Sequence, residues 1–371
     1  MHVVTFLKRL SGGLLVSVVG FMMLSSASAQ SDSPGAVYTM TNAVPNAVMV
    51  YDRSASGLLT PAGEFATGGN GTGKGLGNQG AVTLSLNGRW LFVVNAGSNN
   101  VSMFDVLPHE LRLVDLASSG GTMPISVTVH RNLVYVLNAG SPNNITGFKL
   151  TNDGKLTPLA GSTRALSSGL AAPAQVQFSP DGNLLVVTEK ATNIIDVFPI
   201  DNNGLPGGRV STGSAGPTPF GFSFGLRDQI FVSEAFGGAT GASAVSSYIA
   251  KSDGTLTLVS GSVPTTETAA CWVVVTRNGR FAYTTNTDSG SISGYQISHD
   301  GRLRLLDADG RTAVIGDGTA PIDLALSLDS VLYSLSSGDH RISAFQVLTD
   351  GSLAPLGSVP APPSANGLAA R

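Results

Sequence analysis

Leu91-Phe-Val-Val-Asn95 is one copy of a phrase that returns seven times, roughly every 45–50 residues. The other copies are Val37-Tyr-Thr-Met-Thr41, Val134-Tyr-Val-Leu-Asn138, Leu185-Val-Val-Thr-Glu189, Ile230-Phe-Val-Ser-Glu234, Ala282-Tyr-Thr-Thr-Asn286 and Leu332-Tyr-Ser-Leu-Ser336. Each is a short β-branched and aromatic run, the composition of a buried strand. Six of the copies follow another strand-like run, such as Pro124-Ile-Ser-Val-Thr-Val129 or Pro321-Ile-Asp-Leu-Ala-Leu326. The turn between the two is typified by Asn87-Gly88 and Asn278-Gly279, residues that accept positive φ. A third run follows, as in Ile145-Thr-Gly-Phe-Lys149, then an Asp-Gly turn and a weaker fourth run that often carries Pro. Four strands repeated seven times predict an all-β, seven-bladed β-propeller with four antiparallel strands per blade.

The two ends of the chain complement each other. The first copy has no strand before it, and Ala365-Asn-Gly-Leu-Ala-Ala370 reads as a first strand with nothing after it. Pairing the two predicts a ring closed by the C-terminal strand against the first blade, leaving no open edge there.

Composition agrees. Glycine supplies 46 of 371 residues, only 12% are charged, and no stretch has the 3.6-residue period of an amphipathic helix. Hydrophobic residues make up 42% and recur in strand-length runs, which excludes a disordered chain. Nothing divides residues 30–371, so a single propeller domain is expected there. Before it, Lys8 and Arg9 precede the apolar run Leu14–Leu24 and the small-residue stretch Ala27-Ser-Ala29. This is the pattern of a signal peptide over residues 1–29 and predicts an exported protein, periplasmic or extracellular. Without Lys8 and Arg9, 19 basic residues face 24 acidic ones, a net charge of −5. That balance argues against a nucleic-acid partner and against an anionic membrane surface after cleavage. The one cysteine, Cys271, reads as a buried structural thiol, with no basic neighbour in sequence to activate it.

Over residues 36–371 the chain resembles the seven-bladed propeller lactonase family, which includes bacterial 6-phosphogluconolactonases and fungal carboxymuconate cyclases. Phe92-Val-Val-Asn-Ala-Gly97 and Tyr135-Val-Leu-Asn-Ala-Gly140 also resemble the Tyr-Val-Thr-Asn repeats of surface propellers. The resemblance implies a lactonase acting on a small sugar or organic-acid lactone, a monomer without cofactor or metal. Two other readings stay open: a non-catalytic propeller that binds a ligand or protein, and a muconate-type cycloisomerase. Export argues against a phosphorylated, intracellular sugar as substrate.

Propeller topology places first-to-second and third-to-fourth turns on a lower face, and the remaining loops on an upper face. The upper loops are longer and more varied, among them Gly68–Gln79, and varied loops on a rigid scaffold carry function. The last position of the second strand runs Thr41, Asn95, Asn138, Glu189, Glu234, Asn286, Ser336 around the ring. Glu189 and Glu234 break a neutral series in adjacent blades, and Lys190 follows the first of them. A carboxylate pair beside a cation suits water activation and oxyanion stabilisation, so these three are the expected catalytic residues. The plainer alternative is that the glutamates bond nearby loop amides. Expected substrate-binding residues are Asn95, Asn138 and Asn286 on the rim, and Gln175, Trp272 and Asp323 in a column facing the channel. His340 and Arg164 in upper loops complete the set. Trp272 can equally plug the channel. No histidine pair has metal spacing. Gly68-Gly-Asn-Gly-Thr-Gly-Lys-Gly75 lacks the Ser or Thr and the helix of a phosphate-binding loop, and reads as a flexible upper loop able to act as a lid.

Overall fold

The computed structural model describes residues 1–2 and 35–371, so the leader expected over 1–29 lies almost wholly outside the described residues. Residues 33–371 form one compact unit. Seven antiparallel sheets appear among the described residues, each a four-strand blade; in two of them the outermost strand is split into two pieces, and in six the strands follow chain order from the inside outward. Blades two to seven begin with inner strands Val82–Leu84, Pro124–His130, Pro173–Phe178, Pro219–Phe224, Ala270–Val275 and Pro321–Leu326. The second strands end at Asn95, Asn138, Glu189, Glu234, Asn286 and Ser336, as the repeat requires.

Blade one takes its inner strand from the end of the chain. Asn366–Ala370 pairs antiparallel with Gly35–Met40, with Val37 opposite Ala370 and Met40 opposite Asn366. Thr39 Oγ1 donates to the carbonyl of Asn366, Ser364 Oγ to that of Thr41, and Arg53 Nε to that of Arg371. The expected closure is therefore present.

Second strands are buried along nearly their whole length, because each is covered by the blades on both sides. That is why they read as continuous apolar runs rather than alternating ones. Outer strands alternate, as in Glu110–Ser118. In blades three and six the fourth strand is split: Leu156–Pro158 and Arg164–Ala165 both pair with Asn144–Leu150, and Leu303–Leu305 and Ala313–Val314 both pair with Ser291–Ile297. Neighbouring blades are stapled by tyrosines. Tyr135, Tyr283 and Tyr333 each donate from the second strand to a glycine carbonyl (Gly204, Gly351, Gly57) in the next blade's Gly-ending turn.

Candidate functional site

The upper mouth of the channel is closed by its own loop. The first half of Gly68–Gln79 lies over blade one, where Gly71 and Gly73 donate to the carbonyls of Ala43 and Asn42. The second half turns down into the ring, burying Leu76, Asn78 and Gln79. Lys190 Nζ donates to Gly77 O, Trp272 Nε1 to Asn78 O (2.7 Å), and Asn78 Nδ2 to Ile125 O. Gln79 Nε2 donates to Val273 O at 2.9 Å while its Oε1 accepts from Val273 N at 3.2 Å. This side-chain amide takes the place of a strand backbone, and a Cβ on Gly221 would collide with it. Blades two, three, four and six are thus tied through one peg, which answers the lid expectation: the loop is a bonded plug.

The rim glutamates sit otherwise than expected. Glu189 and Glu234 are both 0% exposed, not on a solvated rim. Glu234 accepts from Gly216 N, Ser214 Oγ, Ser246 Oγ and Ser262 Oγ. Glu189 accepts from Ser167 N, Ser167 Oγ and Thr192 Oγ1. No residue that bonds one bonds the other, so the structure gives each its own cradle within its blade. Asn95, Asn138 and Asn286 behave alike, donating to Ser102, to Asn144 and to Ser293. Burial is the physical reason: the next blade covers the end of each second strand, and a buried polar group must find partners locally.

Blade four adds a group the sequence reading missed. Two register positions along, third strands place Ser102, Thr146, Ser246, Ser293 and Ser343, but blade four places Asp196. The aligned repeats carried that signal. Asp196 is fully buried against Glu189, with Ser211 Oγ donating to Oδ1 at 2.6 Å and Arg209 Nε 3.5 Å from Oδ2. Burial and the hydrogen bond to Glu189 raise Asp196 to about 7. Burial also pushes Glu189 up, but donors on Asp196, Ser167 and Thr192 outweigh it and hold Glu189 low. The pair therefore shares one proton. Because the folded state binds that proton more tightly than the unfolded chain, Asp196 costs stability as pH climbs from the ordinary carboxylate range to about 7. Asp196→Asn, which donates to Glu189 without titrating, should stabilise the protein at pH 8 by on the order of 2 kcal/mol and change little at pH 4. Thermal melts at the two pH values check this; an equal effect at both would refute proton sharing.

The remaining predicted residues divide between the channel and the periphery. Arg164 lies in the outer strand of blade three, donating to the carbonyls of Gly161, Thr163, Pro206 and Gly207 rather than facing the channel. His340 is exposed at the tip of a blade-seven turn. Gln175 pairs with both N and O of Phe222, a second peptide-mimicking staple. Trp272 packs on Phe220, ring centres 4.9 Å apart, under the plug. Lys190 Nζ lies 4.6 Å from the Phe220 ring, and burial lowers it to about 8. Cys271 is buried, and burial pushes its thiol up to about 12, consistent with a structural role. Among the described residues no group of three or more His, Cys, Asp or Glu could hold a metal ion.

Below the plug, the channel holds a cavity of about 480 Å³, lined by Gln79, Gln175 and Asp323 toward its top and by Leu86, His130 and Pro180 at the lower face. Its two ionisable lining side chains are Asp323 and His130. Asp323 is 2% exposed, with no cation beside it; its Oδ1 accepts from Leu324 N at 2.8 Å. Burial drives its carboxyl well above the usual range, which favours the protonated acid. Burial and the Arg131 charge lower His130, opposed by Asp181, so it is neutral at pH 7. Its buried Nε2 has no partner among the described residues. His130 ends the inner strand Pro124–His130 at the lower face, away from the upper loops in which the sequence analysis sought function.

Residues 33–170 match the family model described as Lactonase, 7-bladed beta-propeller. A 6-phosphogluconolactonase of Yersinia enterocolitica is 26% identical over 180 residues, 47% of this chain and 50% of that protein. The match thus spans about half of that relative's length. The periplasmic gluconolactonase PpgL of Pseudomonas aeruginosa superposes with a TM-score of 0.71 at 16% identity, covering 90% of this chain and 98% of that one. A virginiamycin B lyase of Staphylococcus aureus superposes at 0.53 and 14% identity, over 77% of this chain and 85% of that one. At such identities these structures share the fold, on which different chemistries are built. The resemblance to the lactonase propellers read from the repeats is borne out.

Proposed function

We propose that the chain is an exported hydrolase of a small sugar or organic-acid lactone, acting in the channel cavity below the plug. One observation carries the reading. Burial disfavours the charged form of both titratable groups of the cavity, raising Asp323 toward the neutral acid and lowering His130 toward the neutral base, the two forms that an acid–base pair needs. A small lactone fits the volume, and the plug leaves the lower face as its entrance.

His130 takes a proton from water, and the water oxygen attacks the ring carbonyl carbon. The ring C–O bond breaks, and Asp323 supplies the proton that turns the leaving ring oxygen into a hydroxyl. The imidazolium returns its proton through solvent to Asp323, and the product is an open-chain hydroxy acid. In this scheme Glu189 and Glu234 serve the scaffold, and Lys190 holds the plug shut.

The signal-peptide pattern in the sequence of residues 1–29 supports export, as does the likeness to a periplasmic gluconolactonase. A panel of lactones assayed on the purified protein tests the reading. Steady acid release from at least one aldonolactone is expected. Absence of turnover, together with a ligand that raises the melting temperature, would make the chain a binding propeller instead.

A further inference from the structure

A second cavity lies beside the channel mouth. It is a lower-face groove of about 670 Å³ between blades two and three, sharing Leu86, Val129, His130 and Pro180 with the channel cavity. Although the chain is acidic overall, this groove is lined by Arg89, Arg131 and His130 and by no carboxylate. Asp105 stands behind Arg89 at 3.9 Å, and Arg89 lies 4.2 Å over the Trp90 ring.

Arg131 is the unusual residue. It occupies the two-residue turn between Pro124–His130 and Leu133–Asn138 with φ of +53°. That conformation disfavours most side chains and suits Asn or Gly, the residues found in the matching Asn87-Gly88 and Asn278-Gly279 turns. Among the described residues nothing accepts a hydrogen bond from the Arg131 guanidinium, and the side-chain amides of Asn132 and Asn152 bond to nothing. Asn87 engages only its Oδ1, with Ser85 and Arg89 N. One cation without an ion-pair partner and three exposed side-chain amides with free donors therefore share a groove.

We propose that this groove binds an open-chain polyhydroxy carboxylate, its carboxylate on Arg131 and its hydroxyls on Asn87, Asn132 and Asn152. The choice of ligand rests on the lactonase reading, because ring opening of a sugar lactone beside this groove yields that chemistry. Guanidinium matches carboxylate in two parallel hydrogen bonds, and amides both donate to and accept from hydroxyls.

D-gluconate titrated calorimetrically into the mature protein tests it, with D-sorbitol and inorganic phosphate as comparison probes. Saturable millimolar binding of gluconate is expected, at least ~10-fold weaker for sorbitol, which lacks the charge, and for phosphate, which lacks the hydroxyls. Arg131→Asn should weaken gluconate by at least ~10-fold while keeping or raising the melting temperature, since Asn suits the turn. Unchanged gluconate affinity in that variant, or no binding to the wild type, overturns the site. Equal binding of sorbitol overturns the carboxylate role, and equal binding of phosphate the hydroxyl role. Gluconate bound through Arg131 without any lactone turnover keeps the groove and rejects the hydrolase; turnover without gluconate binding does the reverse.

Discussion

Deleting residues 366–371 should destabilise the protein by on the order of 5 kcal/mol or more, comparable with the whole stability of an ordinary domain. The deletion strips Gly35–Met40 of its inner partner and removes the backbone bond from Arg371 N to the Ala36 carbonyl. It also removes the acceptors of Thr39 and Arg53, each net bond being worth about 1 kcal/mol. Leu368 and Ala369, both buried, leave a gap, and a fully buried leucine contributes about 2–3 kcal/mol. Leu368, Ala369 and Ala370 also wall the channel cavity, so the truncated ring opens its binding space to solvent. The exposed strand edge is then a template for aggregation. Calorimetry should show a melting temperature lower by at least ~10 °C. A truncated protein that melts with the intact one would mean the latch contributes nothing.

The second large effect is chemical. A correctly placed base contributes roughly 10²–10⁴-fold to rate, so His130→Gln should lower turnover of the best lactone by at least ~100-fold. Nε2 has no partner to lose, so the melting temperature should move little. The pH profile should be bell-shaped. Activity falls in acid as His130 takes up a proton, its pKa held below the usual value by burial and by Arg131 and only partly restored by Asp181. It falls in alkali as Asp323, raised by burial and opposed only by backbone donors on Leu324 and Leu368, loses one. Asp323→Asn keeps a hydrogen-bond donor but cannot titrate, so the alkaline limb should vanish along with most of the rate. Full activity in His130→Gln would remove the histidine from the mechanism, and an unchanged alkaline limb in Asp323→Asn would remove the acid.

Period and turn chemistry made the propeller, its seven blades and its latch legible, because those are one-dimensional signals: strand-length apolar runs, Asn-Gly turns and an orphan last strand. The site was less legible. Glu189 and Glu234 stood out correctly as odd members of a column, but no repeat pattern says how deeply the next blade covers that column. Asp196 was visible as the odd member of a neighbouring column, and only the cross-strand register shows that the two columns touch. Asp323 was chosen from its place in the inner column, whereas the upward push on its carboxyl follows from its being enclosed. The plug was beyond sequence reasoning, because a Gly-rich loop says nothing of where it goes until Gln79 meets Val273, 194 positions away.

The latch also sets an order of events during synthesis. The strand that completes blade one lies 327 positions from its partner, and the ribosome makes it after every other strand of the ring. Blades two to seven can each assemble as their own four strands emerge. Gly35–Met40, the first strand of the ring to be made, must wait with one edge bare until Asn366–Ala370 has emerged. Ring closure is therefore the terminal step of maturation, and a transcript cut short anywhere upstream yields a chain that cannot close and presents an open strand to quality control.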